Sequence, residues 1–308
     1  MTDLADRLGG AVWGHLIGDA LGVPYEFGFP PEAVVWGKVG THNQPAGTWS
    51  DDGGLMLALL DSLTAPGVGF DTEDQARRSV AWLDTDAYKP GAIFDIGGTT
   101  AMALGRFKRG VSAEEAGGRE DRDCGNGSLM RILPVALVGR DLPPVKLIDQ
   151  AVRASNVTHA HPRATATAAV YVLIAAALVS GATDRELALS TAFTECGMCM
   201  VGDHRKELFD LRNWPGKPTG SGYVVDTFWS AWTAFASSDS NAETVTKAIR
   251  YGSDTDTTAA VAGGLAGALW GIGDIPVEWR RAMRGKPIVE RLLARLTSAG
   301  PAPVGFAN

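Results

Sequence analysis

Cysteine is scarce in this chain: three residues in 308, an odd number. That excludes a disulfide-built scaffold and fits a reducing cytoplasm. Cys196 and Cys199 have C-x-x-C spacing, but no second cysteine pair or clear histidine pair completes a zinc set, so they read as free thiols. Basic charge is also short. There are 28 Lys and Arg against 35 Asp and Glu, a net charge of −7. No basic patch with interleaved aromatics occurs, so no nucleic-acid partner is evident. The opening Met1-Thr2-Asp3-Leu4-Ala5-Asp6-Arg7 lacks the basic-then-apolar order of a signal peptide. Only two long apolar runs occur, 164–179 and 259–273. Both are short for a bilayer and rich in Ala, Thr or Gly, so they read as buried core helices and no membrane partner is expected. Fixed-period repeats, low-complexity tracts and runs of alternating strand pattern are missing as well.

What remains is a chain that can build a large core, with 45% hydrophobic and 20% charged residues. Apolar residues recur at helical spacing over 3–22, 54–63, 72–84, 145–155, 164–180, 184–196, 241–251, 278–284 and 287–297, and a further helix opens at about 223 and runs to 236. Gly10, Gly14 and Gly18 form a small face on the first of these. The segments 28–50 and 211–222 read as loops, and 110–123 as a charged loop or short helix. The expected architecture is all-α, one domain over 1–308, with loops from distant parts of the chain meeting at one end.

Chemistry concentrates in two stretches of similar design. Gly252-Ser253-Asp254-Thr255-Asp256-Thr257-Thr258 leads into an Ala/Gly-rich apolar helix, and Ser50-Asp51-Asp52-Gly53-Gly54 leads into another. A helix N-terminus tolerates Asp well, so a plain N-cap with a spare acid explains either stretch alone. Asp254 and Asp256, about 200° apart on a helix, converge only if the segment is still a turn. The adjacent carboxylates of Asp51 and Asp52 repel unless a cation or solvent intervenes. Two such stretches suggest halves of one site for hard divalent cations such as Mg²⁺, Mn²⁺ or Ca²⁺. Glu26 lies between Tyr25 and Phe27, a setting that raises a carboxyl pKa, or else is an ordinary loop glutamate. Gly97-Gly98-Thr99-Thr100 opens a helix where backbone N–H groups could take a phosphate, without the Lys of a Walker loop. Gly125-Asn126-Gly127 is a plain turn or a close backbone approach to a ligand. His159 and His161 are hydrogen-bonding groups before metal ligands. Tyr223 stands at a helix edge, where packing is the default and base stacking the alternative.

Taken in order, Gly18-Asp19-Ala20-Leu21-Gly22 with Glu26, Ser50-Asp51-Asp52, Asp95-Ile96-Gly97 with Thr99-Thr100, Gly125-Asn126-Gly127 with Met130-Arg131, Thr158-His159, Ser221-Gly222-Tyr223 and Asp254-Thr255-Asp256-Thr257 resemble the ADP-ribosylglycohydrolase family from about residue 8 to 297. The resemblance implies a compact orthogonal helical bundle and a binuclear Mg²⁺ site, with Mn²⁺ as the other candidate. Ser50, Asp51, Asp52, Asp254, Asp256 and Thr257 would ligate the metals. Glu26, Asp51 and Asp52 would serve catalysis. Gly97, Gly98, Thr99, Gly125, Asn126, Gly127 and His159 would hold the diphosphate and ribose, and Tyr223 the adenosine end. The implied reaction releases ADP-ribose from a modified protein, arginine by default, or from a small ADP-ribose conjugate. Three positions depart from the family pattern. Ser50 replaces a Thr, Gly53 replaces a hydroxyl residue after the Asp pair, and Asp121-Arg122-Asp123-Cys124 precedes the Gly-Asn-Gly loop. Two rivals remain open at this point. One is an ADP-ribose-binding relative without catalysis. The other is a haloacid-dehalogenase-type phosphohydrolase, whose Asp-x-Asp-x-Thr motif should end an apolar strand.

Overall fold

The computed structural model describes residues 2–298. Among them the regular structure is helical, with only isolated β-bridges at Gly28–Ser253, Gly118–His159 and Gly125–Tyr223. Fifteen α-helices follow in chain order: α1 Leu4–Gly22, α2 Asp51–Leu63, α3 Thr72–Asp84, α4 Gly98–Lys108, α5 Ala113–Ala116, α6 Leu133–Gly139, α7 Pro144–Asn156 and α8 Pro162–Val179, then α9 Arg185–Cys199, α10 Gly202–Arg212, α11 Val224–Ala236, α12 Asn241–Ile249, α13 Thr255–Trp270, α14 Val277–Ala282 and α15 Lys286–Ser298. The all-α expectation holds. Two helices, α6 and α10, lie where no helical period was read. α6 is short and almost wholly buried, so it shows no polar face. α10 is mostly charged, with only Glu207, Leu208 and Leu211 buried.

Capping explains where several helices start. The side chain of Asp3 accepts from the Asp6 amide, Asp71 from the Glu73 and Asp74 amides, Asp184 from the Leu187 amide, and Ser240 from the Glu243 amide. Each satisfies N–H groups that the helix itself leaves free. Gly271, with φ 80°, ends α13.

The centre of the molecule is the contact of α1 with α13, the most extensive between any two helices. It is made by backbone rather than bulk. A Cβ on Gly10 would lie 2.3 Å from the Gly267 carbonyl oxygen, on Gly14 2.2 Å from that of Gly263, and on Gly18 2.1 Å from that of Ala259. The glycine face thus lets two helix backbones touch. Every residue of α13 from Thr255 to Leu269 is buried. On its other side, Tyr171 of α8 donates its hydroxyl to the Val261 carbonyl at 3.1 Å. α8 runs two residues further towards the N-terminus than its apolar period and is long and apolar enough to cross a membrane, yet 78% of it is buried inside the protein. It packs against α6, α7, α9 and α10 as a core helix.

Candidate active site

The α1–α13 contact sets the floor of the site, because both helices end at it. Asp19, in the last turn of α1, is fully buried. Its carboxylate accepts from the Ser50 amide at 2.9 and 3.1 Å and from the Gly53 amide at 2.8 Å. It therefore holds the first turn of α2. Asp51 and Asp52 lie inside that turn rather than ahead of it, with Ser50 as N-cap. At the far end of the same floor, Thr255 donates its hydroxyl to the Gly22 carbonyl at 2.8 Å, which ties the start of α13 to the end of α1. The plain-cap reading of Asp254 can now be tested. Asp254 is at the N-cap position, but its side chain makes no capping bond. It instead accepts from Asn126 Nδ2 at 2.8 Å.

These constraints bring the two acidic stretches together across one cleft of about 370 Å³. Glu26, Asp51, Asp52, Asp254 and Thr257 line it, with Gly97, Gly98, Thr99, Gly125, Asn126, Gly127 and His159. Glu26, Asp254 and Asp256 each offer a carboxylate oxygen within 4.8 Å of the others. On the α2 side, Asp52 Oδ2 accepts from Ser50 Oγ at 3.2 Å and from Thr257 Oγ1 at 3.3 Å, so the Thr257 bond bridges the two stretches. Three expected residues, Ser50, Asp256 and Tyr223, stand back from the cleft wall. The Ser50 hydroxyl is turned onto Asp52 and its amide. Tyr223 is half-buried with the Arg163 guanidinium 5.9 Å from its ring centre, and Gly222 forms the wall at that point.

The electrostatics are those of a concentrated acid. Burial first, and then the neighbouring Asp254, Asp95 and Asp51, push the Glu26 carboxyl up to about 9. Burial and then Asp95 and Asp19 push Asp51 to about 8. Asp52 and Asp256 are raised well above the usual carboxylate range, again by burial and then by neighbouring acids. Among the described residues, no Lys or Arg forms an ion pair with any of these groups. Asp52 Oδ1 and Asp254 Oδ1 are buried without any hydrogen-bond partner. Bare carboxylate oxygens and two nearby hydroxyls, with no Lys or Arg paired to them among the described residues, fit a hard divalent cation.

The opposite wall is neutral and close-fitting. Burial, and then the Arg131 charge, lower the His159 pKa to about 3, so its ring is uncharged at neutral pH. Its Nδ1 meets Thr158 Oγ1 at 2.9 Å, and a Cβ on Gly127 would come within 2.6 Å of its ring. Gly127 is therefore a glycine because His159 sits on it. Gly53, where a hydroxyl residue was expected, has a similar cause. A Cβ there would lie 2.7 Å from Leu16 Cδ2 and 2.8 Å from Trp49 Cγ, so the indole side chain takes that space. In the altered 121–124 segment, Asp123 accepts from the Glu120 amide at 3.0 Å and meets Thr99 Oγ1 at 3.4 Å. An acid thus stands beside the Gly-Gly-Thr turn.

Three residues at the site were given no role from the sequence. Asp19 had a readable signal, an acid near the end of a helix that is mostly apolar after Arg7. Asp95 lines the cleft and is raised mainly by burial. His42, whose Nε2 meets Glu26 Oε2, comes from a loop without period, and nothing local marks it.

The fold excludes the phosphohydrolase rival, since Asp254 follows α12 and a turn, not a strand. The ADP-ribosylglycohydrolase family model matches residues 1–303. An ADP-ribosylarginine hydrolase of Pseudomonas putida is 30% identical over 96% of this chain and 79% of its own length. The ADP-ribosyl-[dinitrogen reductase] glycohydrolase of Rhodospirillum rubrum is 30% identical over 96% and 95%. A solved structure described as an ADP-ribosylglycohydrolase-related protein complex superposes with a TM-score of 0.78 at 31% identity, covering 96% of this chain and 98% of that one. With its helical fold and ordered motifs, the chain belongs to the ADP-ribosylglycohydrolase family.

Proposed function

We propose that this protein hydrolyses the glycosidic bond between ADP-ribose and an acceptor, by default an arginine of a protein, with the help of two divalent cations, Mg²⁺ or Mn²⁺. One observation carries the reading. Glu26, Asp51, Asp52 and Asp254 line one cleft with the Gly125–Gly127 loop and a neutral His159, Asp256 offers an oxygen within 4.8 Å of those of Glu26 and Asp254, and among the described residues no Lys or Arg pairs with these acids. The names of the relatives favour a modified arginine on a protein, and small ADP-ribose conjugates remain the other substrate class. A cytoplasmic location belongs to the same proposal.

When bound, the cations supply positive charge and Lewis acidity at the ribose. The chain's own residues do the rest. Gly97 to Thr99, at the start of α4, and the Gly125–Gly127 loop line the cleft where a diphosphate would lie. Departure of the acceptor leaves an oxocarbenium-like C1″, and the surrounding carboxylates stabilise that positive charge. Asp51 or Glu26, both of which line the cleft, accepts the proton of the attacking water.

The test is release of free ADP-ribose from an ADP-ribosylarginine protein in Mg²⁺, in Mn²⁺ and in EDTA. Metal-dependent release is expected. Binding of ADP-ribose without release from any conjugate would favour a catalytically silent relative. The close packing of Trp49 and Leu16 at Gly53 counts against that alternative, because the missing hydroxyl leaves no gap.

A further inference from the structure

His42 has no part in the reaction as just described, yet it is the side chain outside the acid cluster that touches Glu26. Its Nε2 meets Glu26 Oε2. Its ring packs against Phe94, with centroids 5.1 Å apart, and edge-on to Phe27 at 5.8 Å. The preceding residue, Thr41, donates its hydroxyl to the Glu26 carbonyl at 2.6 Å. The His42 carbonyl accepts from Gln44 Nε2 at 3.0 Å. Two consecutive loop residues therefore grip one glutamate, Thr41 by its backbone and His42 by its carboxylate. Glu26 needs such a hold. It precedes Phe27, whose φ of 60° is a conformation side-chain-bearing residues seldom adopt, and Asp254, Asp95 and Asp51 all repel its charge. A long glutamate side chain in that field has every reason to turn outwards.

We infer that His42 is a positioning residue. By occupying one oxygen of Glu26, and being wedged by Phe27 and Phe94, it keeps the carboxylate over Asp254 and Asp256, so that all three present oxygens to one divalent cation. This is the role that outer hydrogen-bond partners play for metal-ligating carboxylates. The consequence for turnover rests on the hydrolase reading; the consequence for cation binding does not.

The experiment is a Mn²⁺ titration of the full chain by electron paramagnetic resonance, with Tm, kcat and KM for ADP-ribose release measured on the same samples. His42→Phe keeps an aromatic wedge and removes the hydrogen-bonding nitrogen. His42→Gln places an amide nitrogen where Nε2 lies, and His42→Asn is too short to reach. Mn²⁺ binding is expected to weaken about 10-fold in H42F and H42N, and kcat to fall by about as much with little change in KM, while H42Q returns both to within about threefold of the parent. Equal Mn²⁺ affinity in the parent, H42F and H42Q overturns the inference. So does a loss in H42F that H42Q fails to restore at unchanged Tm, and so does a parent chain that binds no Mn²⁺. If H42F does not fold, H42N against H42Q decides. If the parent binds Mn²⁺ but releases no ADP-ribose from any conjugate, the hydrolase reading fails, and the Mn²⁺ affinities still decide the role of His42.

Discussion

Asp51 is the residue on which the proposed chemistry bears hardest. It is buried at the cleft wall, repelled by Asp95 and Asp19, and hydrogen-bonded only weakly, by the Gly97 amide at 3.4 Å. Asp51→Asn removes an acid that the fold does not need. ADP-ribose release should drop by about 100-fold or more, on the scale of losing a proton-transfer group, while Tm stays level or rises. Retention of full activity would remove Asp51 from the site. His159 gives a pH signature. Its folded pKa is about 3 against an ordinary value of 6.5, so between these values the unfolded chain binds a proton that the native chain does not. Stability therefore rises with pH across that window and is lost as pH falls through it. His159→Asn lacks this group, and its Tm should fall less steeply than the parent's between pH 6.5 and 4.5 in scanning fluorimetry. Parallel curves would show that burial does not hold the imidazole neutral.

At the scale of elements, the site depends on how closely α1 and α13 approach. Asp19 near the end of α1 and Asp254 at the start of α13 can share one floor only because Gly10, Gly14 and Gly18 leave room for carbonyls. Gly18→Ala puts a methyl 2.1 Å from the Ala259 oxygen, which is backbone and cannot swing aside. Alanine improves helix propensity by about 1 kcal/mol over glycine, and forced separation of packed elements costs about 3 kcal/mol. The clash wins, so urea denaturation should show G18A destabilised by about 2 kcal/mol, the difference of those two terms. Unchanged stability would mean that the helices can separate freely. The loop before α11 is a second case. Asp226 accepts from the Thr219 and Ser221 amides at 2.8 Å each, which shapes the segment whose Gly222 carbonyl receives the Asn126 amide and whose Gly220 carbonyl receives the Asp254 amide. Asn126 then reaches Asp254 with its side chain. Asn126→Ala should raise KM for the conjugate several-fold and leave the helical circular dichroism intact, because it frees Asp254 without touching the core.

For the whole molecule, the acid cluster makes stability conditional on what occupies the cleft. Fully buried carboxylates that lack basic partners stay neutral or meet a cation. A ligand that binds only the native state stabilises it by about 2.7 kcal/mol at one hundred times its dissociation constant. Calorimetry in Mg²⁺ should therefore show a Tm a few degrees above that in EDTA. Coincident transitions in the two buffers would argue against a cation in the cleft. The relatives in Pseudomonas putida and Rhodospirillum rubrum match over almost this entire chain, so the family assignment does not depend on the site alone.

Much of the fold was legible because helical period is a local property. The spans of α1, α3, α7, α9 and α12 differ from the periodic readings by a few residues at most. α6 and α10 were not legible, because an almost wholly buried helix and a largely solvated one both lack a two-faced pattern. By itself the sequence determined the all-α class, the small face on α1, the family and the residue types of the two acidic stretches. It also left open whether the Asp254 side chain caps α13, and only the tertiary structure decided that it does not, by bringing Asn126 within 2.8 Å from a segment far away in the chain. The same holds for Asp19 under α2 and for His42 on Glu26. Period and composition are carried by neighbours along the chain. A site is a set of distances between segments, and those are settled by which helices can touch.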